Sequence, residues 1–582
     1  MSDDRWNDPG WKEAAREYHE QRERNGGRGH DAHEIRRRSQ ADAVLELALV
    51  AKLFLAPDGT GYADVIVHGH RETWPIKSRG FRRWLAERYF EREHKAVRSE
   101  PMQSVIGVLE AKAQFDAPKR EVHVRVAEHN GCIYIDLADK EWRAVEIRPE
   151  GWTIVDRPPV RFRRAKGMLP LAMPLRGGRI DALRKFLNVK NDSEFILAVS
   201  CLLAALRGRG PYPVVALCGE HGAAKSTFSR LLRSLVDPNT APLRALPRCV
   251  RDLAISANNS YAQVFENISS LPDWLSDALA RLATGGGLAT RELYTNDEEA
   301  LFDATRPIIL NGIEDFVARP DLGDRTVLLT LESIPDERRK LEKEIWSDFE
   351  LERPLIFGAL LDAVAHGLRQ SPHVSLNQLP RMADFAHWAT ACETALWPLG
   401  TFMAAYRENV ARMVDITLEA SPVAEAVQEL MASRAEWEGT AIELLPDLAA
   451  AIGERVANSK RWPTTPRSLS GWLRRDAAGL RRIGIEVAFG GQGRKRRAIR
   501  IARSVVNTCK EPSPRSPPSL ESNMSELSVT VVDPQQTPTV TPNHLKSNSG
   551  AGGDGRAGDL HGLSDNPVPE DESVPDFEDF IR

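Results

Sequence analysis

With 582 residues, 42% hydrophobic and 27% charged, the chain is long enough for about three or four domains with apolar cores. Its formal net charge of −4 excludes neither basic nor acidic partners, because the charges are segregated along the chain. Six scattered cysteines with no CxxC pair argue against a zinc module and a disulfide framework, and point to a reduced, cytoplasmic protein.

Residues 1–40 are polar, with no apolar signal core, and read as a charged, partly helical arm. Residues 41–178 mix strand-like runs (DVIVHGH, EVHVRVAEHN, CIYIDLAD, RAVEIRPEGWTIV) with two helical stretches, GFRRWLAERYFEREHK and MQSVIGVLEAKAQF. This predicts a separate α+β domain, with Pro57-Asp58-Gly59 as a turn between its elements. The HGH of residues 68–70 reads as a solvated loop, and no carboxylate cluster suggests a catalytic site in this domain. The longest apolar stretches, 47–56 and 195–206, fall short of the roughly 20 residues of a membrane span, so no membrane partner is expected.

Residues 179–345 alternate helix and strand patterns, the signature of an α/β core. The buried-strand text PYPVVALCG runs into Gly219-Glu-His-Gly222-Ala223-Ala224-Lys225-Ser226-Thr227, and a helix, FSRLLRSLV, follows. Strand, small-residue loop and helix in that order form the context of a P-loop, whose backbone N–H groups and helix dipole hold phosphates. ATP and Mg²⁺ are the expected ligands. Gly219, Gly222, Ala223 and Ala224 would wrap the phosphates, Lys225 would reach the β- and γ-phosphates, and the Ser226 hydroxyl would bind the metal, with Thr227 beside it. Ala224 stands where the second glycine of the pattern normally sits. The GxxGxAKS form resembles the loop of the minichromosome-maintenance replicative helicases, which implies a working site.

An acidic group must complete such a site, and the strand-like YAQVFEN offers Glu266 as a second metal ligand and catalytic carboxylate. A surface Glu at a strand end is the alternative, and Asp273 and Asp277 compete for the role. The next strand ends at Asn311, readable either as the residue that orients the attacking water or as a turn Asn before Gly312. In ARPDLGDR, Arg319 and Arg325 flank a short loop. Arg325 is either an arginine donated across a subunit boundary to the γ-phosphate or a partner of Asp321 or Asp324.

Residues 346–420 read as a helical lid and 421–503 as a small C-terminal domain. Residues 460–503 hold thirteen Lys or Arg against two acids. TTPRSLSGWLRRDAAGLRRIG predicts a helix with Trp472, Leu473 and Leu480 inward and Arg467, Arg474, Arg475 and Arg481 outward. Two strands follow, joined by a basic turn with Arg494, Lys495, Arg496 and Arg497. Helix then basic hairpin is the order of a winged helix, predicting contact with DNA, single-stranded or forked. The Ser-, Pro- and Thr-rich tail of 504–582 is expected to be disordered. Its acidic tip, Asp576-Phe-Glu-Asp-Phe580, would recruit a protein partner if it binds anything.

Across 180–415 the text GEHGAAKST, VFEN, TGGGLATRELYTNDEEALFDATRPIILNG and RPDLGDR resembles the superfamily 3 helicases and related AAA+-like primase-helicases of phages and integrative elements. The resemblance implies an ATPase core that forms a homo-oligomeric ring and moves along DNA, Asn311 as sensor 1, and a role in replication of a mobile element. Two points depart from it: the hairpin expected to grip DNA has the acidic tip Asn296-Asp297-Glu298-Glu299, and the N-terminal domain lacks a primase carboxylate cluster. An ATP-dependent DNA-binding switch or loader therefore stands as the alternative, and a small-molecule kinase is disfavoured by the basic C-terminal domain.

Overall fold

The structure is a computed structural model that describes residues 39–503, apart from 292–298, 303, 314–315, 460 and 491–497. The charged arm, the turn bearing Arg494–Arg497, most of the acidic hairpin tip and the C-terminal tail lie outside the described residues.

The N-terminal part holds two antiparallel sheets. Strands β1 (Lys52–Leu55), β2 (Gly61–Val67) and β3 (His70–Pro75) form the first, covered by helices α1 (Gln40–Ala48), α2 (Arg79–Glu93) and α3 (Ser99–Phe115). Val44, Phe81, Leu85, Ile106 and Leu109 make the core between them. The predicted turn forms at Gly59, with φ of +81° and the Asp58 carboxylate accepting from the Thr60 amide at 2.9 Å. The second sheet is a meander of β4 (Val126–His129), β5 (Cys132–Asp136), β6 (Ala144–Arg148) and β7 (Gly151–Val155). The text EVHVRVAEHN predicts a longer strand than β4. Arg125 ends it, because its φ of +71° turns the backbone out of the extended range and sends the guanidinium into the interior.

A four-stranded parallel sheet follows, in the order β13 (Thr326–Leu331), β8 (Val214–Gly219), β12 (Ile308–Gly312), β9 (Gln263–Ile268). The apolar run of β8 is buried along its length, as a central parallel strand must be. Helix α4 (Asp192–Ala205) is buried over almost its whole circumference and packs against α5 (Lys225–Val236). Between β9 and β12 lie α7 (Asp273–Thr284) and an antiparallel hairpin, β10 (Leu288–Arg291) with β11 (Glu299–Phe302), and α6 (Val250–Asn259) precedes β9.

The helical text after the sheet resolves into α9 (Glu342–Gln370), α10 (Ala383–Glu393) and α11 (Thr401–Glu419). Gly358 allows the extended segment before the core to lie on α9, since a Cβ there would stand 1.8 Å from the Leu175 carbonyl oxygen. Asn409 of α11 pairs with both backbone groups of Leu328 (3.0 and 2.6 Å), satisfying the open edge of β13.

The C-terminal part contains α12 (Pro422–Ala432), β14 (Glu436–Thr440), α13 (Ala441–Ile452), α14 (Glu454–Ala457), α15 (Pro466–Arg482), β15 (Ile485–Phe489) and β16 (Ala498–Arg503). The sheet runs β14-β16-β15, antiparallel throughout, over a core of Leu444, Leu469, Leu473, Leu480 and Ile501. Strand β14, EWEGT, escapes the sequence reading because it is short, polar and half exposed.

Candidate functional site

The loop of residues 220–224 leaves the C-terminal end of β8 and enters α5 at Lys225, the end of a parallel sheet where ligands bind. Gly219 is required there by space, because a Cβ would meet the Leu331 carbonyl oxygen at 2.4 Å. Ala224 adopts the left-handed conformation, φ +59° and ψ +30°, immediately before the helix. That backbone is the reason glycine is expected at this position, and the alanine methyl costs about 1–2 kcal/mol in it. The Lys225 ammonium donates to the Gly219 and Glu220 carbonyls, both at 2.7 Å, and burial holds its pKa below the ordinary lysine value. From outside the loop, the Asn188 amide donates to the Ala223 carbonyl (3.1 Å) and the Glu332 carbonyl (2.7 Å). Nothing local in the sequence marks Asn188, because both partners are distant in the chain.

Ser226 and Glu266 meet. The hydroxyl donates to the carboxylate at 3.3 Å across forty residues of sequence. A β-bulge at the end of β9 aims the carboxylate: Leu310 faces Phe265 and Gly312 faces Ile268, so three steps on β9 match two on β12. Asn267 takes the extra step with φ of +57°. Its amide donates to the Asn311 side-chain oxygen at 3.1 Å, and the Asn311 amide donates to the Ser229 hydroxyl at 3.1 Å. Asn311, 2% exposed, thus joins α5 to the bulge beside Glu266.

The other expected residues are not brought to this loop. Asp273 and Asp277 pair with Arg319 at 3.4 and 2.9 Å. Arg325 pairs with Asp321 at 2.5 Å and lies just before β13, level with Val214 at the opposite end of the sheet from Lys225. The short loop between the two arginines contains one helical turn, α8 (Pro320–Gly323).

A buried charge cluster at the other end of α5 was not anticipated. Arg125, Arg233 and Asp237 are each 0–1% exposed. Arg125 donates to Asp237 at 3.1 Å, and Asp237 in turn accepts from the Ser260 hydroxyl (3.1 Å) and the amides of Tyr261 (3.0 Å) and Ala262 (3.1 Å). Burial pushes the Arg233 guanidinium down to about 10. The cluster fixes the turn that feeds β9, and so ties the N-terminal sheet to the strand of Glu266.

On α15, Arg467, Arg474, Arg475 and Arg481 are exposed as expected, and Trp472 is half-buried. The Arg474 guanidinium lies 4.9 Å from the Phe489 ring centre and Arg475 lies 4.5 Å from that of Trp472. The same helix turns Asp476 inward, where it accepts from the Ser421 hydroxyl at 2.5 Å and burial raises its pKa.

Among the described residues, no group of three or more His, Cys, Asp or Glu could hold a metal ion, and no helix is long and apolar enough to cross a membrane. No curated protein sequence matches the chain. Of solved structures, one titled SCCmec type IV Cch, active helicase, aligns at 12% identity and TM-score 0.41, covering 78% of this chain and 92% of that one. The NrS-1 C-terminal region aligns at 11% and 0.35, covering 79% and 98%. JCV helicase aligns at 12% and 0.21, covering 38% and 70%. Residues 180–416 match the family of actinomycete integrative conjugative element replication proteins, and residues 423–517 match the C-terminal domain of the same replication proteins. Over these two regions the chain is similar to the replication proteins of actinomycete integrative conjugative elements.

Proposed function

We propose that the chain is an ATP-hydrolysing, DNA-dependent ATPase that acts as a helicase or initiator in replication of the mobile element. The observation that supports this most is the pairing of Ser226 with Glu266 at 3.3 Å beside Lys225, at the helix end of the loop. A hydroxyl and a carboxylate are hard oxygen donors suited to Mg²⁺, which keeps most of its shell as water and substrate phosphate. Bound there, the metal would neutralise charge on the phosphates. Lys225 exchanges its two carbonyl partners for phosphate oxygens, and the loop amides and the α5 dipole hold the anion. Glu266 and Asn311 hold the attacking water in line, with Glu266 taking its proton. Gly219, Gly222, Ala223, Ala224 and Thr227 shape the loop, a P-loop in this reading.

Residues 179–345 form the AAA+-like core of this assignment, 346–420 its lid and 421–503 a winged helix that holds DNA. Arg325, remote from its own chain's loop, serves a neighbouring subunit of a homo-oligomeric ring. The acidic tail tip recruits a protein partner, and the work is done in the cytoplasm.

A second reading, a switch or loader that binds DNA without unwinding it, is favoured by the hairpin connection 292–298. Its sequence contains Glu292, Asp297 and Glu298 and no base, a poor surface for phosphate.

The test is ATP turnover of the wild type and Lys225→Ala, each with and without single-stranded DNA. DNA-stimulated turnover lost in the variant is expected. Absence of any affinity for Mg²⁺-ATP in the wild type sinks both readings, and strand displacement on a forked duplex separates them.

A further inference from the structure

Beside the loop opens a cavity of about 830 Å³. Gly222, Ala224 and Thr227 form its floor, and Phe186, Leu187 and Ile345 supply apolar wall. Across from the loop stand three consecutive cations, Arg338, Arg339 and Lys340, from the segment between β13 and α9. Arg339 comes closest: a Cβ on Gly222 would lie 3.1 Å from its Nη2. Its partner in the structure is Asp336 at 2.8 Å, an ion pair with 55% and 82% of the side chains exposed. Pairs so exposed are weak and exchange readily for a better anion. Of the acids lining the cavity, Glu342 is paired with Arg230 and Glu352 with Lys185, which leaves Asp348, together with Asp336 outside the lining, to offset the three cations.

We infer that this cavity takes the nucleoside half of a nucleotide, and that Arg339 grips its phosphates from across the loop within the same chain. The inference rests on the reading of the loop as a phosphate site. The volume falls within the ordinary range for small-molecule sites, and an apolar wall with a cationic rim matches a flat base joined to an anionic chain. A guanidinium presents paired N–H donors to phosphate oxygens, which a lysine replaces only in part. Neither Arg338 nor Arg339 stands out in the sequence, where they form part of the charged run DERRKLEKE.

The experiment is calorimetric titration of the full chain with Mg²⁺-ATP and, separately, with inorganic tripolyphosphate, which has phosphates and no base. Arg339→Ala is expected to weaken both ligands by on the order of tenfold, with Arg339→Lys recovering part of the loss. Ile345→Asp is expected to weaken ATP and leave tripolyphosphate unchanged. Leu351, which also lines the cavity and is 78% exposed, provides Leu351→Asp as a second wall variant that does not endanger folding. If the wild type binds ATP and the folded Arg339 and wall variants bind both ligands as it does, the inference falls and the phosphate loop stands. If the wild type binds neither ligand, the loop reading itself falls.

Discussion

The side-chain oxygen of Asn311 accepts the backbone amide of Asn267 at 3.1 Å, in place of the ladder partner that the bulge on β9 removes. The other half of the Asn311 amide holds Ser229, one turn into the helix that begins at Lys225. One buried amide thus sets the position of Glu266 relative to Ser226. Asn311→Ala leaves the Asn267 amide without its partner, at about 1–3 kcal/mol, while the Ser229 hydroxyl keeps its bond to the Lys225 carbonyl at 3.0 Å. The variant is expected to fold with a lowered melting temperature and to lose ATP turnover more than ATP affinity. A variant that melts lower yet hydrolyses ATP like the wild type would show that Asn311 only holds the fold.

Ala224 carries a methyl in a left-handed backbone at the entrance of α5. Ala224→Gly removes that conflict, and because glycine also loses more entropy on folding, the net gain is about 1 kcal/mol at most. Urea denaturation should show the variant at least as stable as the wild type. Destabilisation would mean that the methyl makes a packing contact that outweighs its backbone cost.

These two positions mark what a sequence can and cannot tell. The loop was legible because phosphate binding needs small residues, a lysine and a hydroxyl at fixed local spacing, between a strand and a helix that each announce themselves by period. Glu266 was legible as a strand end, but not the bulge that aims it, since a bulge is a mismatch between two strands distant in the chain. Arg125 reads as one more residue of an alternating strand, and only its left-handed backbone, set by Asp237 more than a hundred residues later, turns it inward. Asn188 and Arg339 were silent for the same reason. The arginines of α15 were legible because 3.6-residue spacing separates them from Leu469, Leu473 and Leu480, whereas Asp476, to which the sequence reading gives no face, lies on the buried side.

Removing Arg125 should be costly. Arg125→Met leaves Asp237 buried with its amide donors and the more distant Arg233 guanidinium at 3.9 Å but without the guanidinium hydrogen-bonded to it, and breaking such a pair costs about 3–5 kcal/mol. Asp237→Asn in the same background removes the stranded charge and should recover part of the loss. A double-mutant cycle in urea denaturation reads the coupling. Additive effects would show that the two side chains do not depend on each other.

Asp476 makes the C-terminal part sensitive to pH. Burial raises its pKa above the ordinary 3.8, against smaller lowering effects of Ser421 and Arg475. The folded form therefore holds the proton more tightly than the unfolded chain. The stabilisation this provides is complete below pH 3.8 and is lost as pH rises through the raised value. Asp476→Asn keeps an acceptor for the Ser421 hydroxyl and does not ionise. Its stability relative to the wild type should climb with pH across that window and then level off, measured by tryptophan fluorescence in urea. A difference independent of pH would mean that Asp476 does not titrate as its burial requires.

Two arginines of α15 stand on aromatic supports, Arg474 over Phe489 and Arg475 beside Trp472, which narrows the directions in which each guanidinium can point. A pre-set cation loses less entropy on meeting a phosphate than a free one, so these two should contribute more to DNA affinity than Arg467, which has no aromatic ring beneath it among the described residues. Each phosphate contact releases bound counterions, and the dependence of log affinity on log salt steepens by about 0.9 per contact on duplex DNA and 0.7 on single strands. Arg474→Ala with Arg475→Ala is expected to flatten that slope by between one and two, with the affinity loss greatest at low salt and similar for all sequences, because phosphate contacts position without specifying. Basal ATP turnover should not change. Fluorescence anisotropy of a labelled oligonucleotide across a salt series gives the slope directly. An unchanged slope in the double variant would remove α15 from the DNA-binding surface and leave its positive charge as a solvated face.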